Sequence, residues 1–141
     1  MSLEENKAVV RRFFEIMNQG DLDQLQEVCD TGLKWHGGSM GDFNGSEAAL
    51  QMAKGFFAAF PNMQTTIDLI LAEGDKVAAH FTSRGTHGGD LMGIGPTGKA
   101  VTIAGLAHYR IANGKIAEEW HMQDSLGMLQ QVGAIPGPAG S

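Results

Sequence analysis

Apolar side chains recur at every third or fourth position through the first part of the chain, which is the spacing of amphipathic helices. The first helix is predicted over residues 2–19. Ser2 and Glu5 form a capping-box pattern at its start, and Gly20 is a natural stop at its end. The chain therefore opens on a helix with one buried face.

Two more helices are predicted before the pattern changes. The second is short, follows Asp21 and carries Cys29 on its apolar side as a buried small residue. The third runs from Ser46, its expected N-cap, to Phe60, which we expect to contact a bound substrate.

After Pro61 the apolar period falls from helical to two, which predicts strands. Asn113-Gly114 is the strongest hairpin signal in the chain. Helices followed by an antiparallel meander indicate the α+β class. We expect one domain over residues 1–133 and a flexible Gly-Pro-rich tail over residues 134–141.

The Asn113-Gly114 turn fixes the register of the last hairpin if its loop has two residues, since Ile111 then faces Ile116. Counting on from that pair, the apolar core face of the last strand takes Glu118, Trp120, Met122 and Asp124. The opposite, polar face takes His108, Arg110, Glu119 and His121.

The same count along the strand that begins near Lys76 leads to a predicted pocket. It places Phe81 on the core side and brings His87 to the sheet edge where Asp124 also ends, two strand spacings or roughly 10 Å away. That gap suits a small organic molecule held between two polar groups over an apolar floor. The predicted floor consists of Phe81, Trp120 and Met122.

Asp124 has two interpretations at this stage. It precedes a short helix predicted over residues 125–132, so its carboxylate could cap that helix. Alternatively, apolar surroundings raise its pKa and make it a general acid/base. Tight capping would lower the pKa and oppose base chemistry, and both interpretations stay open here.

Glycines crowd residues 85–98, and residues 93–98 match the pattern G-x-G-x-x-G. Phosphate binding by such a loop requires a helix N-terminus behind it, whereas Val101-Thr102-Ile103 reads as a strand. We therefore predict an inter-strand loop at the pocket rim and no nucleotide.

The five histidines do not have the spacing of a metal site, so no metal is predicted. His87 lies on the core side at a strand end, where it either faces the pocket or anchors a loop. His36 precedes a glycine-rich turn and is expected at the pocket rim.

Composition narrows the class of partner. The 141 residues carry a net charge of −6, which argues against nucleic acid or an anionic membrane surface. A single cysteine excludes a disulfide framework. Without an apolar run that could span a bilayer or serve as a secretion signal, a cytoplasmic location is expected.

A set of motifs in a fixed order gives the chain a family resemblance. The motifs lie at residues 9–14, 35–36, 45–48, 59–63, 85–88, 96–99 and 110–116, followed by Glu119-Trp120 and Asp124. In this set the chain resembles the SnoaL-like polyketide cyclases of the nuclear-transport-factor-2-like (NTF2-like) superfamily.

The resemblance implies a cystatin-like, cone-shaped barrel, in which three N-terminal helices and a curved, mainly antiparallel sheet enclose a pocket. It also implies a homodimer through the outer sheet face. Relatives close a ring by intramolecular aldol condensation without metal or cofactor, using an aspartate that matches Asp124. By the same resemblance His87, His36 and Trp120 would supply hydrogen bonds to the enolate.

Our first hypothesis is an enzyme that acts on a small apolar or aromatic carbonyl compound by proton transfer at Asp124. A non-catalytic protein that holds a ligand in the same pocket is the second. An epoxide- or ester-directed hydrolase and a ketosteroid-isomerase-like enzyme remain further alternatives, because one fold hosts many functions.

Overall fold

The computed structural model describes residues 2–137, so Met1 and the last four residues of the predicted tail lie outside the described part. The helices are α1 (Leu3–Gln19), α2 (Ser46–Ala59) and α3 (Ser125–Gln131). The strands are β1 (Cys29–His36), β2 (Asp42–Asn44), β3 (Gln64–Glu73), β4 (Lys76–Thr86), β5 (Ala100–Ala112) and β6 (Lys115–Gln123). The predicted α+β class is confirmed.

The ends of the two long helices follow from local chemistry. Ser2 Oγ accepts a hydrogen bond from the Glu5 N–H at 3.0 Å, and Glu5 Oε1 accepts one from the Ser2 N–H at 3.0 Å. Helix α1 stops at Gly20, whose φ of +77° suits a glycine cap. Helix α2 begins at Ser46 as predicted, but Gly45 is its N-cap.

The segment between these helices differs from the prediction. Leu22–Glu27 forms only a 3₁₀ helix, and Cys29 opens β1 instead of lying on a helix. Strand β1 escaped the sequence pattern because its buried residues do not alternate along its first half: only Cys29, Leu33 and Trp35 are buried.

The six strands form one curved sheet in the order β2-β1-β6-β5-β4-β3. Strand β1 runs parallel to β6, and the other neighbouring pairs are antiparallel. Helices α1 and α2 pack on one face, where Phe14 and Leu50 share a core with Phe81 and Tyr109. The predicted curved, mainly antiparallel sheet is confirmed.

The glycine-rich loop joins β4 to β5 without a helix. At its base the His87 N–H donates to the Lys99 carbonyl, and the Gly98 N–H donates to the His87 carbonyl, both at 2.9 Å. Strand β5 follows directly, so no helix N-terminus stands behind the loop to hold a phosphate. The prediction of an inter-strand loop is confirmed, but its predicted place at the pocket rim is wrong, because none of residues 87–99 lines the cavity described below.

A β-bulge at Ala117 changes the last hairpin. Ile111 pairs with Ile116 as predicted, but Arg110 then pairs with Glu118, so β6 contains one residue more than its partner at this point. Because side chains alternate between the faces of a strand, this extra residue moves every later side chain of β6 to the other face.

The bulge overturns the predicted faces of β6. Glu119 and His121 point into the core side of the sheet, and Glu119 is only 4% exposed. Trp120 and Met122 lie on the outer face, where they are 36% and 62% exposed. The predicted pocket floor of Trp120 and Met122 is therefore wrong.

Residues 2–137 contain neither a membrane-spanning helix nor a cluster of metal-ligating side chains. No helix in this range is long and apolar enough to cross a membrane. No group of three or more histidine, cysteine or acidic side chains in the range is placed to hold a metal ion.

Candidate functional site

A cavity of about 160 Å³ lies between the sheet and helices α1 and α2. Half of its lining residues are methionine, phenylalanine, tryptophan or tyrosine, which suit an apolar organic ligand. The main contributors are Phe13, Phe14 and Met17 of α1, Met52, Phe56 and Phe57 of α2, and Trp35, Phe81 and Tyr109 of the sheet.

Three polar side chains of β6 face this cavity at a spacing of two residues: Glu119, His121 and Gln123. Glu119 Oε2 lies 3.2 Å from His121 Nδ1, and Gln123 Oε1 lies 3.0 Å from His121 Nε2. Since the Glu119 carboxylate is almost fully removed from water, its interaction with the imidazole is strengthened.

Aromatic rings cover both faces of the His121 imidazole. Trp35 stacks on it with ring centroids 5.6 Å apart, and Phe81 stacks on it at 5.5 Å. Gly105 makes the second stack possible, because a Cβ there would collide with the Phe81 ring. The stacking and the two hydrogen bonds together fix the orientation of the imidazole, and aromatic faces favour its cationic form.

The surroundings of His121 shift its titration. Burial alone would lower the pKa of the imidazole, but the hydrogen bond and charge of Glu119, together with the Gln123 contact, raise the pKa above the ordinary 6.5. The Gln123 oxygen can accept from the protonated ring, and a half-turn of the amide lets its N–H donate to the neutral ring. His121 can therefore be held in either protonation state.

Further polar groups of the wall stay protonated. Burial, and then the charge of Glu119, raise the pKa of Tyr109 well above 10. The hydroxyls of Thr65 and Ser83 share a hydrogen bond of 2.7 Å. Burial raises the pKa of the Cys29 thiol to about 12, so it is not a nucleophile. The cavity thus offers hydroxyl donors to an acceptor atom of a ligand.

Of the predicted site residues, Phe81 lies in the cavity wall as expected. Phe60 and His87 lie outside this wall, in and beside a second apolar cluster, with their rings 5.7 Å apart. His87 Nδ1 contacts Thr97 Oγ1 at 3.0 Å and accepts the Thr97 N–H at 3.3 Å. His87 therefore anchors the loop, which is one of the two alternatives predicted for it, whereas its predicted place in the pocket is wrong, as is that of Phe60.

Asp124 caps helix α3. Its Oδ1 accepts a hydrogen bond from the Gly127 N–H at 2.9 Å, and the side chain is exposed and absent from the cavity wall. The prediction that Asp124 faces the pocket is wrong, because the bulge reverses the count along β6. The capping interpretation accounts for its contacts.

His36 lies in a network on the outer face of the sheet. Its Nε2 lies 2.7 Å from Glu118 Oε2, and its ring stacks on Trp120 at 5.4 Å. Arg110 Nε donates to Glu118 Oε1 at 3.2 Å. The His36 hydrogen bond and the Arg110 contacts lower the pKa of Glu118 against the effect of burial. His36, Trp120 and Met122 are thus on the face opposite to the cavity, and their predicted role as pocket rim and floor is wrong.

Sequence reasoning missed Glu119 and His121 as a pair inside the cavity. Between residues 115 and 123, three of the four even positions carry large apolar side chains, and four of the five odd positions carry polar ones. That pattern favours the wrong face, and nothing in it signals the bulge at Ala117.

The comparisons with known proteins agree with this architecture. The model of the SnoaL-like polyketide cyclase family matches residues 7–132, and the chain belongs to that family. Its NTF2-like fold is thereby confirmed. No curated protein matches the chain.

Solved structures match over most of their length. AclR, a candidate hydroxylase from Streptomyces galilaeus, is 27% identical with a TM-score of 0.89, covering 99% of this chain and 87% of AclR. IdmH, a candidate polyketide cyclase from Streptomyces antibioticus, is 32% identical with a TM-score of 0.82, covering 91% and 98%. A candidate SnoaL-like polyketide cyclase from Jannaschia sp. CCS1 shares the fold at 24% identity and a TM-score of 0.86, covering 94% of each chain.

Proposed function

We propose that the protein is a cyclase-type enzyme in which His121 transfers a proton next to a carbonyl group of a small apolar molecule. The observation that carries the proposal is the His121–Glu119 contact of 3.2 Å within an apolar cavity. Membership of the SnoaL-like polyketide cyclase family supports the reaction class, an intramolecular aldol condensation or a related cyclisation or isomerisation.

In the proposed reaction, the bound substrate displaces the Gln123 amide from His121 Nε2, and neutral His121 takes the α-proton at that atom. The electron pair of the broken C–H bond forms a carbon–carbon double bond, and the carbonyl oxygen takes the negative charge of the resulting enolate. The enolate carbon then attacks a second carbonyl of the same molecule, and the imidazolium returns its proton to the new alkoxide. Glu119 holds the ring and stabilises the imidazolium, which makes it a positioning residue.

The developing enolate needs a hydrogen-bond donor. Tyr109 lines the cavity and pairs directly with Glu119 across the β5–β6 ladder. Since its raised pKa keeps the phenol protonated, its hydroxyl can donate to the enolate oxygen. The Thr65–Ser83 hydroxyl pair offers a second donor position in the same wall.

The test is deuterium exchange at the α-carbons of 2-tetralone, a ketone with acidic α-hydrogens, followed by NMR in D₂O. We expect the protein to accelerate the exchange above an equal concentration of free imidazole. A non-catalytic binding protein would bind the ketone and leave the exchange at the buffer rate. A hydrolase would instead open an epoxide of the same skeleton, which we expect the protein to leave intact.

We further propose that a second copy of the chain covers the outer sheet face, as the family resemblance leads us to expect. Large exposed apolar patches mark interaction surfaces, and Leu106 and Met122 are 59% and 62% exposed. Paired positions form two rows across four strands: Leu69, His80, Leu106 and Met122, and then Leu71, Ala78, His108 and Trp120.

A further inference from the structure

The charge of the cavity wall depends on two residues. Cys29 and Tyr109 stay neutral because burial raises the pKa of each, so only Glu119 and His121 carry charge. No lysine or arginine from the described residues lines the cavity. A protonated His121 cancels the charge of Glu119, whereas a bound carboxylate would face Glu119 without a further counter-ion. In a cavity with a mostly apolar wall that repulsion is poorly screened.

A ligand cation meets a different obstacle. A carboxylate inside a cage of aromatic rings ordinarily suits an ammonium group. Here the His121 ring already lies between Trp35 and Phe81, and its Nδ1 contacts the Glu119 carboxylate. The protein's own imidazole therefore occupies the cation position, and an ammonium would have to displace it.

The volume of the cavity limits the number of rings that a ligand can have. A cavity of about 160 Å³ is close to the roughly 150 Å³ of an engineered apolar cavity that binds benzene. Met17, Met40 and Met52 are partly exposed at the wall, and their flexible side chains can yield to a second ring. A four-ring molecule would require the helices themselves to move.

We propose that the cavity takes an uncharged cyclic ketone of one or two rings. This inference rests on the proposed function, because it names the substrate class of the same site. The apolar wall holds the rings, the hydroxyl groups of Tyr109 and the Thr65–Ser83 pair receive the ketone oxygen, and the paired charges of Glu119 and His121 select against a charged substituent.

The experiment compares three probes that share one bicyclic skeleton: 2-tetralone, 2-aminotetralin and tetralin-2-carboxylate, which are neutral, cationic and anionic near neutral pH. Dissociation constants from titration calorimetry are expected to favour the ketone by about tenfold or more, equivalent to ~1.4 kcal/mol. Tighter or equal binding of either charged probe would overturn the inference, as would failure of all three to bind at their solubility limits.

Ring number is tested with cyclohexanone, 2-tetralone and a four-ring steroid ketone. We expect the first two to bind and the steroid to show no binding. Binding of the steroid as tight as that of 2-tetralone would contradict the size limit and would favour the ketosteroid-isomerase-like alternative.

Two variants check the origin of the charge selection. Glu119→Gln leaves the protonated His121 ring without its carboxylate partner, so at a pH below the lowered pKa of His121 the carboxylate probe should bind about tenfold tighter than it binds to the wild type. Glu118→Gln is the matched control on the outer face and should change none of the three affinities. Binding of 2-tetralone without deuterium exchange would contradict the proposed function and leave the substrate class standing.

Discussion

The Nδ1 atom of His121 lies 3.2 Å from Oε2 of Glu119, two residues earlier on the same strand. Residues at this spacing share a face of a strand, so β6 brings the two groups together by itself. The cavity then removes the pair from water, and Trp35 and Phe81 hold the ring from both sides. A local arrangement of this kind can be tested one residue at a time.

Replacement of His121 tests the proton transfer. His121→Gln keeps a polar side chain of similar reach but removes the titrating group, so exchange of the 2-tetralone α-hydrogens should fall by about 10²–10⁴-fold. His108→Gln is the control, because His108 is exposed on the outer face of β5. Full exchange activity in His121→Gln would rule out His121 as the acid/base.

The raised pKa of His121 predicts a pH dependence of stability. The folded chain binds this proton more tightly than the unfolded chain, so the added free energy of unfolding is fully present below about pH 6.5. It is lost as the pH rises through the higher pKa of the folded state. Thermal unfolding should therefore show the stability of the wild type relative to His121→Gln decreasing as the pH rises.

NMR titration of the histidine ring gives an independent measurement of the same group. In Glu119→Gln the carboxylate charge is absent, and we expect the pKa of His121 to fall below its wild-type value. An unchanged pKa would mean that Glu119 does not stabilise the imidazolium.

Variants of Asp124 distinguish a helix cap from an acid/base at this position. As an N-cap, Asp124→Ala should lower the free energy of unfolding by about 0.5–2 kcal/mol, and Asp124→Asn should be nearly neutral because asparagine also caps well. Both variants should retain the 2-tetralone exchange rate. If Asp124→Asn lost exchange with its melting temperature intact, the acid/base role first predicted for Asp124 would be restored.

Local signals in the sequence predicted the fold class, the first helix and the face of β4, because caps and two-residue alternation are encoded close to where they act. Ser2 and Glu5 form the predicted capping box, and Phe81 faces the core. The site was missed because one unpaired residue, Ala117, reverses all later positions of β6. Whether a bulge forms depends on the fit between two neighbouring strands and the helices packed on them. The residue pattern within one strand does not contain this information.

Deletion of Ala117 tests how firmly that fit is fixed. Without the bulge, β6 would turn Trp120 and Met122 toward the cavity and place Glu119 outside. We expect the deleted chain to lose cooperative thermal unfolding in circular dichroism. Deletion of Gly95 is the control, because this glycine lies in the loop with no atom near its Cβ position, and it should leave the transition in place.

The outer sheet face is expected to form the interface of a dimer. A symmetric dimer buries the same patch on both copies, so one charge at its centre acts twice. Leu106 is 59% exposed between His80 and Met122, and Leu106→Arg should therefore convert a dimer into a monomer of 15.0 kDa. Leu126→Arg, at a leucine of α3 that is 61% exposed but belongs to neither row of the sheet face, should leave the dimer intact. Light scattering after size exclusion measures both masses. A wild-type chain that is monomeric at high concentration would contradict the proposed dimer.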